Sequence, residues 1–541
     1  MLPRIVYRIP KSIERGATQV VRRGIFAALF ALLVAPTERT RAADAIAGSE
    51  FDDRAVVAAA ESIRVEDLKR HVGTLASDAL QGREAGSVGG HAASAYVVQE
   101  LRTRRVAGAA DGAHYLQEFD GGMRNILATI HGRDTLLRDE VVIVCAHFDH
   151  VGFGNPKNSR GPIGYIHNGA DDNASGTAGL LEVIEAVQAL PQPPRRTLLF
   201  AFWDGEEKGL RGSTHWVSSP TVPLKQVKLV VNADMIGRLR PEGIELTGSR
   251  LARGLRRIIS EVNSSATARL PLDFTWEIRA DSDHFPFIAA GIPALMIHTG
   301  KHDDYHRPSD DADKLNYEGI QKVARLMLLL ALRTSEFDEL PPFRPEGRSE
   351  TKVLQQQVEE RLPTPPNRLG IMWKPELAKQ RIVEISEVSP RSPADDAGLQ
   401  VGDRIVKFAD RAVADFADFR TLVVTAPNVV TATVQRPSEA EPRALNLKLL
   451  GEPTRLGITW RTDEAEPNCV ILTQVLQHSP ADLAGLRPLD RVLLIGGQSI
   501  SNSDDFRRQA QSLPGPLSIT FERGGVIQTA HIELISDANA P

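Results

Sequence analysis

The stretch VVIVCAHFDH, Val141–His150, decides how this chain is read. Six apolar residues, four of them β-branched, predict a strand buried on both faces. That strand runs straight into His147, Asp149 and His150. The pattern recurs downstream. TLLFAF (197–202) leads into Trp203-Asp204-Gly205-Glu206-Glu207, and VKLVV (227–231) into Asn232-Ala233-Asp234. PALMIH (293–298) is followed by HDDYHRPSDD, which holds His302 and His306. Helix-like runs, TAGLLEVIEAVQAL (177–190) and GIQKVARLMLLLAL (319–332), stand among them. Short apolar strands alternating with helices predict an α/β domain with a mixed, largely parallel sheet and helices on both faces. Ligands of such sheets bind in the crevice outside the carboxyl ends of the strands, and here the polar clusters gather on that rim.

A further stretch, HNGADDNASG (167–176), falls between the first strand and a helix. Gly, Asp and Asn are ordinary turn formers, so a surface turn is its plain reading. Five loops carrying imidazoles and carboxylates to one edge point instead to a metal site, because His nitrogen with Asp and Glu oxygen is a normal zinc ligand set. Carboxylates outnumber imidazoles, which favours two ions with one carboxylate between them, roughly 3.5–4 Å apart. Spacing alone does not say which member of each doublet is a ligand. Ser175 as a hydrolase nucleophile is disfavoured, since ADDNASG lacks the GxSxG elbow.

Composition narrows the classes. A chain of 541 residues predicts two to four domains. The net charge of −5 argues against a nucleic-acid binder. Two cysteines, Cys145 and Cys469, cannot form a disulfide scaffold; Cys145 sits inside an apolar run and reads as a small buried hydrophobe. The N-terminus reads as an export signal: a basic lead-in ending Arg22-Arg23, the apolar core GIFAALFALLVA (24–35), then small residues. The expectation is cleavage near Ala43 and a periplasmic or extracellular protein, with an uncleaved anchor as the alternative. No other segment is apolar enough to cross a membrane.

The expected organisation is a signal peptide (1–43), a main domain (44–333), a Pro- and charge-rich linker (334–367), and a duplicated module. SPADDAGLQVGDRIVKF begins at Ser392 and SPADLAGLRPLDRVLLI at Ser479, 87 residues apart, and Gly370/Gly457 and Phe419/Phe506 keep the same spacing. A repeat of that kind sets two domains, 368–451 and 455–537.

HFDH, NGADDNASG, FWDGEEKGLRGS, NADMIG, SDHFPF and YHRPSD, in that order, resemble the secreted, co-catalytic dizinc aminopeptidase family, which also contains carboxypeptidases and glutaminyl cyclases. The resemblance covers roughly residues 65–333. It implies His147, Asp172 and Asp234 on one zinc ion, and Asp172, Glu207 and His306 on the other, with Asp172 bridging. It also implies Glu206 as the general base, Asp149 as the outer partner of His147, and Asp283 as an organiser of the surrounding shell. Asp171 is expected to be solvated or structural. His150 and His302 are ligands by chemistry but weaker candidates. Phe148, Trp203 and Tyr305 either line a pocket or pack in the core, and the glycine-rich insertion 151–167 is expected to shape access.

Both repeats resemble PDZ domains. Leu369-Gly370-Ile371 and Leu456-Gly457-Ile458 match that family's carboxylate-binding loop, which implies capture of C-terminal peptide tails by strand addition. In the second copy Pro488-Leu489 replaces Val401-Gly402, a departure that bears on turn geometry but not obviously on binding. The expectation for the whole is an enzyme removing N-terminal residues from peptides. The alternatives are a dizinc carboxypeptidase, a cyclase-like enzyme, or an inactive PDZ interaction protein, which the complete residue set disfavours.

Overall fold

The computed structural model describes residues 53–265, 269–360, 368–374, 377, 382–413, 416–451, 453–477 and 479–534. The expected export signal lies outside them. Among the described residues no helix is long and apolar enough to cross a membrane.

The first domain is a nine-stranded mixed sheet flanked by helices. Its strands are β1 (Ala107–Gly108), β2 (Leu116–Phe119), β3 (Met123–Ile130), β4 (Val141–His147), β5 (Thr197–Trp203), β6 (Val227–Ala233), β7 (Ile244–Thr247), β8 (Leu272–Thr275) and β9 (Ala294–His298). The order is β1-β3-β5-β4-β6-β9-β7-β8, with β2 beside β3. The centre β5-β4-β6-β9 is parallel, while β3 joins β5 and β7 joins β9 antiparallel. Every residue of β4 is buried. Val142, Val144 and Ala146 enter a core shared with the helices Gly176–Gln188 and Tyr317–Glu336. Val141, Ile143 and Cys145 enter a second core with Trp203, Trp216 and Phe287. The near-continuous apolar run therefore reflects two covered faces.

The segment expected as a linker behaves differently. Its first residues complete the helix Tyr317–Glu336, and Glu336 holds Arg133 through two contacts of 2.9 and 3.0 Å. Beyond it, a 3-10 turn (Pro345–Ser349) and a helix (Lys352–Val358) pack on the first domain. Glu350 accepts from Arg250 and Arg344, and Gln355 donates to the Phe274 carbonyl on edge strand β8. Proline and charge content gave no sign of these partners.

The C-terminal third builds two six-stranded antiparallel sheets of one design. The first uses β10 (Ile371–Trp373), β11 (Val383–Val388), β12 (Arg404–Phe408), β13 (Arg411–Ala412), β14 (Val429–Gln435) and β15 (Arg443–Lys448). The second uses β16 (Ile458–Asp463), β17 (Glu466–Val475), β18 (Arg491–Ile495), β19 (Gln498–Ser499), β20 (Leu517–Arg523) and β21 (Val526–Ile532). Their orders, β10-β11-β12-β14-β15 and β16-β17-β18-β20-β21, coincide element for element. Gly370 (φ 81°) and Gly457 (φ 78°) turn against Ser392 and Ser479, where a Cβ would come within 2.2 and 2.1 Å of the serine Cβ. Each serine caps a short helix by accepting from the third residue on.

The second of these β-rich domains is docked on the nine-stranded domain. Leu272 of β8 donates to the Gly524 carbonyl, Gly254 to that of Ala465, and Asn263 to that of Gly525. Arg256 grips Glu522 at 3.1 and 3.2 Å, and Arg250 grips Asp463 at 3.0 and 3.1 Å while lying 3.8 Å over the Trp276 ring. Gly525 (φ 78°) is forced at this contact, since a Cβ would meet Leu272 Cγ at 2.5 Å. Gly525→Ala is expected to lower unfolding stability by about 1–3 kcal/mol, read from the urea midpoint. An unchanged midpoint would contradict this close fit.

Candidate metal centre

The rim of the parallel strands delivers the cluster. His147 is the last residue of β4, Asp234 follows β6 directly, and Glu206 and Glu207 follow β5 across a turn at Asp204-Gly205. The loop after β9 carries His306, and Asp172 lies in the turn Ala170–Ser175 that enters the helix Gly176–Gln188.

His147 Nε2 stands 3.4 Å from Asp172 Oδ1 and 3.3 Å from Asp234 Oδ1. His306 Nε2 stands 3.2 Å from both Asp172 Oδ2 and Glu207 Oε2. These separations exceed the 2.7–2.9 Å of a direct charged hydrogen bond. They match the spacing between neighbouring ligands of a tetrahedral zinc ion, about 3.3–3.4 Å for bonds near 2.0–2.1 Å. The donor set and its spacing fit two metal clusters meeting at Asp172. By distance alone His150 also groups with Asp172 and Glu207. Its Nδ1, however, is 2.8 Å from Glu207 Oε1 and 3.9 Å from Asp172, which is a hydrogen bond to the cluster.

Backbone anchoring holds the two key turns. Arg83 is fully buried, and its guanidinium donates to the carbonyls of Leu75, Phe148, Asn168 and Gly169 at 2.6–2.8 Å. From the other side, Asp310 accepts the N–H groups of Asp171 and Asp172 at 2.9 and 3.1 Å. Asn173 ties the turn to β6, donating to Ala233 and accepting from Gly176 and Met235. Gly169 (φ 55°) is required, because a Cβ would come within 2.2 Å of the Asp172 carbonyl and 2.4 Å of the His150 ring. Arg83 and Asp310 carry no signal in the sequence, where a buried charge looks like an exposed one.

The imidazoles are oriented by carbonyls. His147 Nδ1 is 3.2 Å from the Asp149 carbonyl and 3.6 Å from its carboxylate. That carboxylate accepts the N–H groups of Glu206 (3.1 Å) and Glu207 (3.4 Å), so Asp149 positions the turn as well as the ring. His306 Nδ1 reaches the Asn158 carbonyl at 2.6 Å, and Arg160 N donates to the His306 carbonyl. The insertion 151–167 thus folds onto the His306 loop.

The remaining candidates separate clearly. Asp171 is buried rather than solvated, accepting from Gly237 N and Ser175 Oγ, with Oδ2 3.1 Å from His302 Nε2. Ser175 Oγ is spent on Asp171 and Ile236. Phe148 and Trp203 are fully buried core residues. Tyr305 lines the cleft and stacks on His306 with centroids 3.9 Å apart. Asp283 is buried and accepts from Ser213 Oγ at 2.5 Å.

Electrostatics follow from crowding carboxylates and imidazoles away from water. Burial drives the Glu206 carboxyl well above its usual range, opposed by His147 and reinforced by Glu207, Asp283 and Asp234. Burial likewise carries Asp283 up to about 7. Burial and Asp172 push Glu207 up, but His150 and His306 outweigh them and bring it to about 2. Burial opposes protonation of His306, yet Asp172 and Glu207 raise it to about 10, and burial is likewise outweighed at His147, where Asp234 and Glu206 hold the ring well above its usual value. The cluster opens into a cleft of about 730 Å³ lined by Asp172, Glu206, Asp234, Tyr305 and His306 at one part and by β7 and β8 at another.

Two outcomes are expected. Metal uptake requires neutral imidazoles, so zinc added to metal-free protein at pH 7 should release protons from His147 and His306. Affinity should climb as pH rises towards about 10. Calorimetry in buffers of different ionisation enthalpy reads this, and zero proton release would contradict it. Arg83→Met leaves buried carbonyls without donors and should cost about 3 kcal/mol or more, with a fall in bound zinc by elemental analysis. Full occupancy at unchanged stability would remove Arg83 from its positioning role.

Residues 125–331 match the model of peptidase family M28, and residues 384–436 match that of the PDZ domain. The chain is 30% identical over 223 residues to a probable leucine aminopeptidase 1 of Trichophyton verrucosum, spanning 38% of this chain and 56% of that protein. It is 26% identical over 292 residues to leucine aminopeptidase 1 of Leptosphaeria maculans, spanning 51% and 72%. Among solved structures, the LapA aminopeptidase of Legionella pneumophila is 19% identical with a TM-score of 0.43, covering 54% of this chain and 78% of that one. The chain therefore spans little more than half the length of the first fungal relative. It carries a zinc peptidase domain of the M28 type, followed by a PDZ domain.

Proposed function

We propose that the chain is an exported aminopeptidase that hydrolyses the N-terminal peptide bond of peptides. The observation that carries this reading is the pair of donor groups sharing Asp172 beside Glu206, at the opening of a cleft large enough for a short peptide. The relatives that match the first domain are themselves described as leucine aminopeptidases. Export rests on the N-terminal apolar stretch Gly24–Ala35 and its basic lead-in.

Two zinc ions would fit the centre, His147, Asp172 and Asp234 holding one and Asp172, Glu207 and His306 the other. When bound, they supply Lewis acidity, which lowers the pKa of water and polarises a carbonyl oxygen. Glu206 lies outside both donor groups and serves as general base in its ionised form, which cations in the centre would favour against the burial that otherwise keeps it protonated. It accepts the proton of the attacking water as the new carbon–oxygen bond forms. It then returns that proton to the departing nitrogen as the carbon–nitrogen bond breaks. Asp149 fixes Glu206 through its N–H, and Asn158 and Asp149 keep the Nε2 atoms of His306 and His147 facing the carboxylates.

The first β-rich domain, and its structural twin read as a second PDZ domain, offer edge strands β10 and β16, each paired on one side only among the described residues. Addition of a C-terminal peptide tail to such an edge, next to Leu369–Ile371 or Leu456–Ile458, is the matching mode of capture.

Glu206→Gln should keep its zinc and lose about 10²–10⁴-fold in kcat; a smaller loss at full zinc content would exclude Glu206 as the base. Paired peptides that differ only in a blocked N-terminus separate the enzyme types. The free peptide should lose its first residue, and equal cleavage of the blocked one would exclude the aminopeptidase assignment in favour of a carboxypeptidase.

A further inference from the structure

The two β-rich domains share one design, so their differences are informative. At the turn before the third strand, the first copy has Gly402 and the second has Leu489. Both backbones enter the left-handed region, with φ of 92° and 74°. Both N–H groups make the equivalent bond, Gly402 to the Ile385 carbonyl at 2.8 Å and Leu489 to that of Leu472 at 2.7 Å. Glycine adopts this conformation without penalty, whereas a leucine held there costs about 1–2 kcal/mol. The second copy therefore keeps a strained side chain at a position where glycine suffices for the fold.

Leu489 lines the catalytic cleft. It is the residue that the second β-rich domain contributes to that cleft, beside Lys352, Gln355, Gln356 and Glu359 of the connecting segment. Its carbonyl is held by Arg491, which also binds Glu359 and Glu466. The Arg491 side chain is 5% exposed, while its counterpart Arg404 in the first copy is 53% exposed. Burial opposes charge on Glu466, but Arg491 and Arg256 outweigh it and hold its carboxyl below the usual range. The strained turn is thus wired to the docking interface, which Arg250, Arg256 and the Gly524-Gly525 hairpin tip complete.

The sheet gives the scale. Asp234 follows β6, and β9, β7 and β8 lie successively beyond it. At 4.7–4.9 Å per strand, β8 stands about 14 Å from β6, the length of roughly four extended residues. The connecting helix and Leu489 stand at the β8 side, where Gln355 bonds the Phe274 carbonyl.

We propose that the second β-rich domain is a fixed wall of the catalytic cleft and that Leu489 is a specificity-determining residue which limits the length of peptide admitted. The inference rests on the peptidase reading of the same cleft. A peptide running from the metal centre across β9 and β7 meets this wall after about four residues, so short peptides fit and longer ones must displace or bypass Leu489.

The test compares the full-length protein with its Leu489→Gly variant, which restores the residue of the first copy and relieves backbone strain. A tripeptide and a ten-residue peptide sharing the same N-terminal sequence are measured for kcat/KM, and for equilibrium binding to the metal-free protein. The ratio of long to short peptide should rise roughly tenfold, the scale on which a lost apolar contact separates substrates, and melting should not fall. A second variant, Arg256→Ala with Glu522→Ala, loosens the docked domain and should move the ratio the same way. An unchanged ratio in a folded Leu489→Gly protein overturns the proposal. If the unaltered protein turns over neither peptide, the peptidase reading fails, and the binding ratio alone still decides the role of Leu489.

Discussion

The centre depends on the turn that carries Asp172 being clamped from both sides by buried charge. Arg83 takes the carbonyls of Asn168 and Gly169, and Asp310 takes the N–H groups of Asp171 and Asp172. A carboxylate placed among other carboxylates repels its neighbours and would withdraw to water if its backbone were free. Fixing the peptide groups on either side removes that escape. The side chain then has to be neutralised where it stands, by protonated imidazoles in the metal-free protein or by cations. Metal affinity is built in this way from residues that do not touch metal.

Much of the first domain was legible because its signals are periodic or compositional. The strands beginning at Val141, Thr197 and Val227 were visible as β-branched and aromatic runs ending in polar clusters, and the structure extends each by one or two residues. The short strands β1, β2, β7 and β8 were not, since two to four residues leave no period to read. The segment 334–360 reads as a linker by composition, and it packs because Glu350 and Gln355 find specific partners that only three dimensions reveal. At the centre the sequence supplied His147, Asp172, Glu206, Glu207, Asp234 and His306 through ordered motifs, and the structure brings these side chains to one rim. Asp171 shows the limit. A carboxylate in a small-residue turn reads equally as solvated or structural, and only the contacts with Gly237 and Ser175 decide for the second.

The duplicated modules show how one fold can be put to two uses. Their sheets coincide strand for strand, and the glycine–serine contact is kept in both. The second copy differs where it meets the peptidase domain: an arginine exposed in one is buried in the other, and a turn glycine is a leucine. Duplication supplies a ready-made packing unit, and a few substitutions at one edge turn it from an appended module into part of the enzyme body.

The contact between the Asn158 carbonyl and His306 Nδ1 ties a surface loop to the state of the cluster. The glycine-rich loop that carries Asn158 dictates which nitrogen of the neutral imidazole bears hydrogen. Swinging the loop outward would free the ring to rotate or change tautomer, loosening its contacts with Asp172 and Glu207. Mobility of this loop would therefore be coupled to the integrity of the cluster, a tension that favours a rigid loop.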